Sequence, residues 1–299
     1  ADVKCDLCPR KCLVDRKKGE KGICGQTENL KVARAALHFW EEPCISGDAG
    51  SGAVFFSGCP LHCVFCQNEN IANGTVGKEI SLERLVDIFL ELQEKRANNI
   101  NLVTPGHFVP QIVKALDQAR KEGLTLPVVY NTSSYETVDT IKMLEGYVDI
   151  YLPDFKYMSP VLSKKYSRAP DYAEVAKAAI AEMVRQTGKA VFVNGDEDNL
   201  ILSGTIVRHL TLPGCMADSM QIVKYLHDTY GDMIYISIMN QFTPLSNLEK
   251  YPELNRRITD EEYETLVDYA IEIGIENGFI QEGDTAEESF IPAFDCEGV

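Results

Sequence analysis

From residue 53 onward, short apolar runs alternate with longer segments in which apolar residues recur every three or four positions. The short runs are Ala53–Phe56, Ile100–Val103, Val128–Asn131, Ile150–Leu152, Ile206–Leu210 and Ile234–Ile238. Their wealth of Val, Ile and aromatics predicts strands buried on both faces, as in a parallel sheet. Between them, Ser81 predicts the N-cap of a helix on which Leu82, Leu85, Val86 and Phe89 share one face. Further helices are predicted over Pro110–Glu122, Tyr135–Gly146, Tyr172–Gln186 and Met216–Tyr230. A last one begins at Thr259, where Glu262 completes a capping box. Six β/α repeats are too few to close an eight-stranded barrel and predict an α/β fold with an open, partial β/α barrel. A doubly wound nucleotide-binding sheet is disfavoured, because no glycine-rich phosphate turn follows the first strand.

Residues 1–48 lack this rhythm: they hold few apolar residues and five cysteines. Gly and Ser cluster at Gly47–Gly52 and predict a boundary there. The expected division is a small cysteine-rich metal-binding segment over residues 1–48 and the barrel, with a C-terminal helical extension, over residues 49–299.

Charge sharpens that division. The chain of 299 residues has a formal net charge of −16. Residues 1–34 nevertheless carry nine Lys and Arg against five Asp and Glu, whereas residues 259–299 carry thirteen acids and neither Lys nor Arg. So acidic a whole argues against a general nucleic-acid binder. The acidic C-terminal stretch reads as a solvated helix face. No basic and apolar leader precedes the cysteines, and no apolar run is long enough to span a bilayer. Seven of the ten cysteines fall in two tight groups, which in such a chain read as metal ligands rather than disulfides. The expected setting is reducing and cytoplasmic, away from membranes.

The sharpest chemical signal is Cys59-Pro60-Leu61-His62-Cys63-Val64-Phe65-Cys66, directly after the first predicted strand. Thiolates hold iron–sulfur clusters, and three local ligands for a four-iron cluster leave one iron open to a small molecule. The alternative is a zinc site completed by His62 or a distant residue. In a parallel β/α barrel the loops after the strands carry the reactive groups, and this loop is one of them.

The spacing C-x3-C-x2-C with an aromatic before the last cysteine resembles the radical S-adenosylmethionine (SAM) superfamily, and the likeness extends from about Gly47 to Met239. Within it, the chain looks most like the pyruvate formate-lyase activating enzymes and their relatives. That resemblance implies a [4Fe-4S] cluster on Cys59, Cys63 and Cys66 with Phe65 beside the cofactor. Gly50-Ser51-Gly52 is similar to the family's glycine-rich run ahead of the first strand. The family's Gly-Gly-Glu, which contacts the cofactor's methionine amino group, is replaced here by Thr104-Pro105-Gly106, followed by His107. Backbone carbonyls there still suit an amino group, though an ordinary turn is the rival reading. Asn131-Thr132-Ser133-Ser134 resembles Asp-Thr-Asn-Gly, which places Asn131 and Ser133 at the cofactor; capping of the next helix is the alternative. Asp154-Phe155-Lys156 resembles Asp-Leu-Lys, and an acid and an amine two apart point the same way and match the zwitterionic end of SAM. Their rival role is a structural salt bridge. Val207-Arg208-His209 with Leu212-Pro213-Gly214 resembles Ile-Arg-Tyr and Val-Pro-Gly, making Arg208 a cofactor contact and His209 a packing or surface residue on the other face. Asn240-Gln241 falls where relatives face their substrate.

The activating enzymes do not open with Cys5, Cys8, Cys12 and Cys24, spaced C-x2-C-x3-C-x11-C. Four thiols in twenty residues indicate a metal, and tetrahedral sulfur suits zinc or a second [4Fe-4S] cluster. Cys44, Cys215 and Cys296 stand alone and read as small buried hydrophobes. The resemblance implies reductive cleavage of SAM to methionine and a 5′-deoxyadenosyl radical, which takes hydrogen from a substrate. It also implies a flavodoxin- or ferredoxin-type electron donor and an anaerobic setting. The leading function is activation of a partner glycyl radical enzyme. A radical enzyme acting on a peptide or small molecule is the second, and a non-catalytic metal or electron-transfer protein the third.

Overall fold

All six predicted apolar runs are strands of one sheet in the computed structural model, which describes residues 4–245, 248–280 and 292–299. In chain order the strands are β1 (Lys31–His38), β2 (Ser51–Phe56), β3 (Lys78–Glu79), β4 (Ile100–Val103), β5 (Val128–Thr132), β6 (Ile150–Pro153), β7 (Val191–Phe192), β8 (Ile201–Leu210), β9 (Tyr235–Met239) and β10 (Gly278–Ile280). The helices are α1 (Pro43–Ser46), α2 (Glu69–Ala72), α3 (Leu82–Glu94), α4 (Val109–Lys121), α5 (Val138–Lys142), α6 (Pro160–Ser167), α7 (Tyr172–Thr187), α8 (Met216–Tyr230) and α9 (Asp260–Glu272).

Spatial order follows chain order through β2-β4-β5-β6-β8-β9-β10, and every pair along that path is parallel. The result is the open α/β barrel, with its strand C-terminal ends on one rim. It has one parallel strand more than expected, because β10 is a three-residue piece beginning with Gly, too short for a visible pattern. A second difference lies before the expected boundary. Lys31–His38 is a strand of the main sheet, antiparallel to β2, so the sheet begins inside residues 1–48. Its core reads Val-Ala-Arg-Ala-Ala, and alanine carries little strand propensity. Main-chain bonds from Cys296 N–H to the Ala33 carbonyl and from Ala35 N–H to the Glu297 carbonyl lay the last residues along β1.

Period-two alternation builds the two faces. Val128, Tyr130, Tyr151, Val207 and Ile236 pack outward under the helices. Val129, Ile150, Leu152, Ile206 and Tyr235 form a second cluster with Cys44 and Ile45 of α1. Helix α1 therefore fills the inner face and floors the barrel.

Ser81 accepts from Arg84 N–H to cap α3, and Thr259 and Glu262 form the reciprocal capping box of α9. The helix expected over Tyr135–Gly146 shrinks to α5, because the Thr137 hydroxyl caps it by accepting from Thr140 N–H. Glu136 is drawn inward before that cap. Of the acidic C-terminal stretch, α9 opens with Asp260, Glu261 and Glu262 in its first turn; residues 281–291 lie outside the described residues. Among the described residues no helix is long and apolar enough to cross a membrane.

Candidate functional site

The loop after β2 carries the three cysteines of the C-x3-C-x2-C motif to the barrel rim. Gly58 has φ +89°, and a Cβ there would run into the Cys24 carbonyl and the Gln26 side chain, so the loop enters along a path that only glycine takes. Cys59, Cys63 and Cys66 line a cavity of about 260 Å³. Its wall also holds Phe65 of the same loop and Thr104, Asn131, Ser133, Asp154, Lys156 and Arg208, from the C-terminal parts of the next four parallel strands, β4, β5, β6 and β8. Thr104, Asn131, Ser133, Asp154, Lys156 and Arg208, distant in sequence from the cysteine motif, thus meet on one surface with it.

Pro105 and Gly106 do not join them. Both are buried at the start of a 3₁₀ turn, and a Cβ on Gly106 would stand 2.7 Å from the Glu136 carboxylate. Only Thr104 of that triplet faces the cavity, from a left-handed φ of 53°. His107 turns away too, its Nε2 bonding the Ser57 carbonyl at 2.6 Å. His209 is a packing residue, bonded to the Phe155 carbonyl and Ser219 Oγ. Phe65 lines the cavity with its ring edge-on to Tyr157, Tyr166 and Phe242.

Beside the cysteines lies a closed polar network. Arg208 donates from Nε to Asp154 Oδ1 at 3.0 Å, from Nη1 to Glu41 Oε1 at 2.6 Å and from Nη2 to Asn131 Oδ1 at 2.7 Å. Lys156 Nζ donates to Asp154 Oδ2 at 2.7 Å, and Asn131 and Asn101 both donate to Glu41 Oε2. Two carboxylates against two cations leave the network neutral, which is what lets four charged groups share a buried site. Burial opposes the charge on Asp154, but Lys156 and Arg208 overcome it and hold the carboxyl below its ordinary range. Burial likewise opposes the ammonium of Lys156, yet Asp154 and the thiols of Cys63 and Cys66 keep it protonated. The salt-bridge reading of Asp154 and Lys156 is therefore realised, on the cavity wall rather than away from it.

Glu41 was not singled out from sequence. It stands just after β1 in the supposedly separate segment, and carries no motif. The one available signal is an acidic pair, Glu41-Glu42, closing a basic stretch. Glu42 is bound by Ser237 Oγ at 2.7 Å on the inner face of β9.

The thiol chemistry fits a sulfur-ligated group. Burial, together with the neighbouring thiols, pushes Cys66 up to about 12 and raises Cys59. Mutual repulsion of this kind is relieved when a cationic centre takes the thiolates, with release of protons. Ser167 Oγ donates to Cys63 Sγ at 3.1 Å, and Leu61 N–H lies 3.4 Å from Cys59 Sγ. Such donors stabilise sulfur-bound clusters. The four N-terminal thiols show the same crowding: burial pushes Cys8 up to about 12, with Cys24, Cys12 and Cys5 adding to it. Among the described residues, no three His, Cys, Asp or Glu side chains already stand at the spacing of a single bound ion.

Glu136 is a second carboxyl that sequence reading missed. It accepts from Tyr130 Oη at 3.0 Å and Thr132 Oγ1 at 2.7 Å, and burial raises it to about 7. A carboxyl raised on folding favours the folded state when protonated, so stability falls as pH rises from about 4.5 to about 7 and is flat above. Glu136→Gln keeps both acceptor bonds and has no charge to desolvate. The variant is expected to melt close to wild type at pH 5 and several degrees above it at pH 8. Parallel pH profiles for the two proteins would contradict this.

A larger chamber of about 1160 Å³ adjoins the cysteine cavity. The two share Trp40, Glu41, Arg208, Met239 and Gln241. The chamber is lined further by Phe39, Glu42, Asp48, Asp198 and the whole of β10.

Residues 53–196 match the family model of the Radical SAM superfamily. Over 272 residues the chain is 27% identical to an uncharacterised protein of Methanocaldococcus jannaschii, covering 89% of this chain and 74% of that one. Among solved structures, a radical SAM methyltransferase from Sphaerobacter thermophilus superposes with a TM-score of 0.51 at 15% identity, over 77% of this chain and 66% of the other. SuiB of Streptococcus suis, bound to its precursor peptide SuiA, gives 0.50 at 13% identity, over 75% of this chain. The chain spans about half the length of SuiB, 46%.

Proposed function

The chain belongs to the radical SAM superfamily through the domain at residues 53–196, and from that premise we propose that it abstracts hydrogen from a polypeptide segment, a glycine of a partner enzyme in the leading case. Membership makes it an enzyme of SAM cleavage at an iron–sulfur cluster. Cys59, Cys63 and Cys66 hold that cluster in this reading, and when bound it supplies the electron that splits SAM into methionine and a 5′-deoxyadenosyl radical.

The chain's own residues do the rest. Asp154 and Lys156 offer an anion and a cation 2.7 Å apart to the zwitterionic methionine end. Asn131 and Ser133 offer short polar groups beside them. Phe65 and Leu61 close the apolar side of the cavity and keep water from the reacting carbon.

The observation that carries the substrate class is the chamber next door. At about 1160 Å³ it exceeds the size of ordinary small-molecule pockets. The strand β10 runs along its wall, and an extended peptide can pair with a strand of that kind. A flavodoxin- or ferredoxin-type protein is the proposed donor, and the four N-terminal thiols are proposed to hold a second metal, an iron–sulfur cluster or zinc.

The test is label transfer. Protein reconstituted and reduced without oxygen is mixed with a glycyl radical enzyme deuterated at its glycines, and deuterium is sought in 5′-deoxyadenosine. Transfer is expected. If label moves from small metabolites but never from polypeptide, the substrate reading fails.

A further inference from the structure

The N-terminal segment lies across the cysteine loop of the barrel, and one side chain makes most of the contact. Arg10 donates from Nε to the Pro60 carbonyl at 2.8 Å and from Nη2 to the Leu61 carbonyl at 3.3 Å. From Nη2 it also reaches the Ser167 carbonyl at 2.9 Å, and from Nη1 the Arg168 carbonyl at 2.7 Å. The first two carbonyls sit between Cys59 and Cys63. The other two end α6, where helix carbonyls lack internal partners and attract a cation. Its guanidinium also stacks on Tyr135, 5.1 Å from the ring centroid. The end of α6 touches Cys63 directly, through Ser167 Oγ on its Sγ, and the residue after it, through Val64 N–H on the Tyr166 carbonyl. One side chain therefore ties the catalytic loop to the helix that supports its second cysteine.

Arg10 itself stands between Cys8 and Cys12. The turn that presents it is shaped by the thiols' surroundings: Lys11 N–H bonds the Cys8 carbonyl, and Lys11 and Leu13 adopt left-handed φ of 43° and 54°. Non-glycine residues take that conformation only when neighbours enforce it. Cys5 closes a small hairpin with Leu13 and Val14, and Ile23 N–H lies 3.3 Å from Cys12 Sγ. Two more contacts cross the same gap: His62 Nε2 donates to the Ile23 carbonyl at 2.7 Å, and the Cys24 carbonyl packs on Gly58. Residues next to N-terminal thiols thus meet residues next to barrel thiols three times.

We propose that the N-terminal segment is a metal-dependent clamp, in which a thiophilic metal centre on Cys5, Cys8, Cys12 and Cys24 fixes Arg10 on the Pro60 and Leu61 carbonyls and so makes the barrel loop competent to hold its cluster. The segment has little apolar content to order it, so metal binding supplies the order. Arg10 acts as a positioning residue. Outer partners that bond metal ligands change metal affinity by about 10–100-fold; Ser167, whose hydroxyl bonds Cys63, is one, and Arg10 holds its backbone carbonyl along with those of the loop. The inference rests on the reading of Cys59, Cys63 and Cys66 as cluster ligands.

The full chain is reconstituted with iron and sulfide, or loaded with zinc alone. Iron retained at the barrel is measured by metal analysis and by the paramagnetic resonance of the reduced cluster. Hydrogen exchange follows the peptide covering residues 58–67. The Cys8→Ala/Cys12→Ala variant is expected to hold barrel iron about 10–100-fold more weakly and to exchange faster over that peptide. Arg10→Ala is expected to keep its N-terminal metal yet show the same loss, and Arg10→Lys, lacking the planar fork, fails to restore it. Combining Arg10→Ala with the cysteine changes adds nothing further, since both break one connection. Unchanged barrel iron in Arg10→Ala, or additive losses, overturns the clamp. If wild type binds no iron at Cys59, Cys63 and Cys66, the cluster reading fails separately. The clamp is then judged on the zinc-loaded protein alone, where unaltered exchange in both variants overturns it.

Discussion

Replacing Cys59, Cys63 and Cys66 together by alanine abolishes release of 5′-deoxyadenosine from SAM while leaving most of the barrel folded. Activity goes because these are the three cysteines on the cavity wall where polar and charged groups of four strand ends, β4, β5, β6 and β8, converge. The fold stays because of where the loop is anchored. Its neighbours Phe56, Leu61 and Phe65 belong to the main apolar core, whereas Cys59 and Cys63 lie only at its margin and Cys66 is half-buried outside it. Deleting three sulfurs removes little apolar contact, and burial already disfavours the ionised form of Cys59 and Cys66 when no metal is bound. The measurement is chromatographic detection of 5′-deoxyadenosine after anaerobic reconstitution and dithionite reduction, alongside a thermal melt. Continued production at a wild-type rate by the triple variant would end the assignment of the cavity as the SAM site. Single changes are expected to be nearly as severe, because a cluster already missing one protein ligand tolerates no second loss.

The barrel was legible because its signals are local. A buried parallel strand is a run of a few Val, Ile and aromatic residues, and a helix is a repeat within some ten positions, so each could be read within its own window. The cysteine loop was legible for the same reason: three cysteines within eight residues need no tertiary partner to be noticed. What was missed depends on distance. Glu41 owes its importance to Asn101, Asn131 and Arg208, separated from it by 60, 90 and 167 positions. No window that short contains those partners. The same holds for Lys31–His38, whose alanines become a strand only against the edge of β2. Pro105 and Gly106 failed in a different way. Their position after the second barrel strand was read correctly, but the turn they make dips under the rim because Glu136 is anchored by Tyr130 and Thr132 below it.

The four N-terminal cysteines show the limit from the other side. Their spacing was readable, as was the expectation of a metal. That Arg10 inside the ligand run bonds four carbonyls in two remote elements was not, since Arg between cysteines is usually a solvated surface residue. Sequence singled out both cysteine groups, and only the fold brought them together.

Arg208→Ala is expected to damage stability and cofactor binding together, which is more than a simple binding residue would do. Arg208 contacts Glu41, Asp154 and Asn131 at once, and its side chain is 13% exposed. Its removal leaves Glu41, 9% exposed, facing Asp154 with only Lys156 to offset two carboxylates. Breaking one partner out of a buried ionic network costs about 3–5 kcal/mol, because the remaining charge stays desolvated and unpaired. Affinity falls for a related reason: Asn131 and Asp154 lose the donor that holds them at the cavity wall, so the groups proposed to receive SAM are no longer pre-positioned. Arg208→Lys keeps the charge but cannot bond three partners from a single planar fork, and is expected to recover part of the stability and little of the affinity. Glu41→Gln in the Arg208→Ala background separates the two effects. It removes the stranded carboxylate, so denaturant midpoints recover toward wild type, while SAM titrated into the anaerobic protein by calorimetry still binds weakly. If Arg208→Ala unfolds at the wild-type midpoint and binds SAM with wild-type affinity, the network neither holds the barrel rim together nor prepares the site. If Glu41→Gln restores affinity along with stability, Arg208 serves the fold alone and has no part in holding the cofactor.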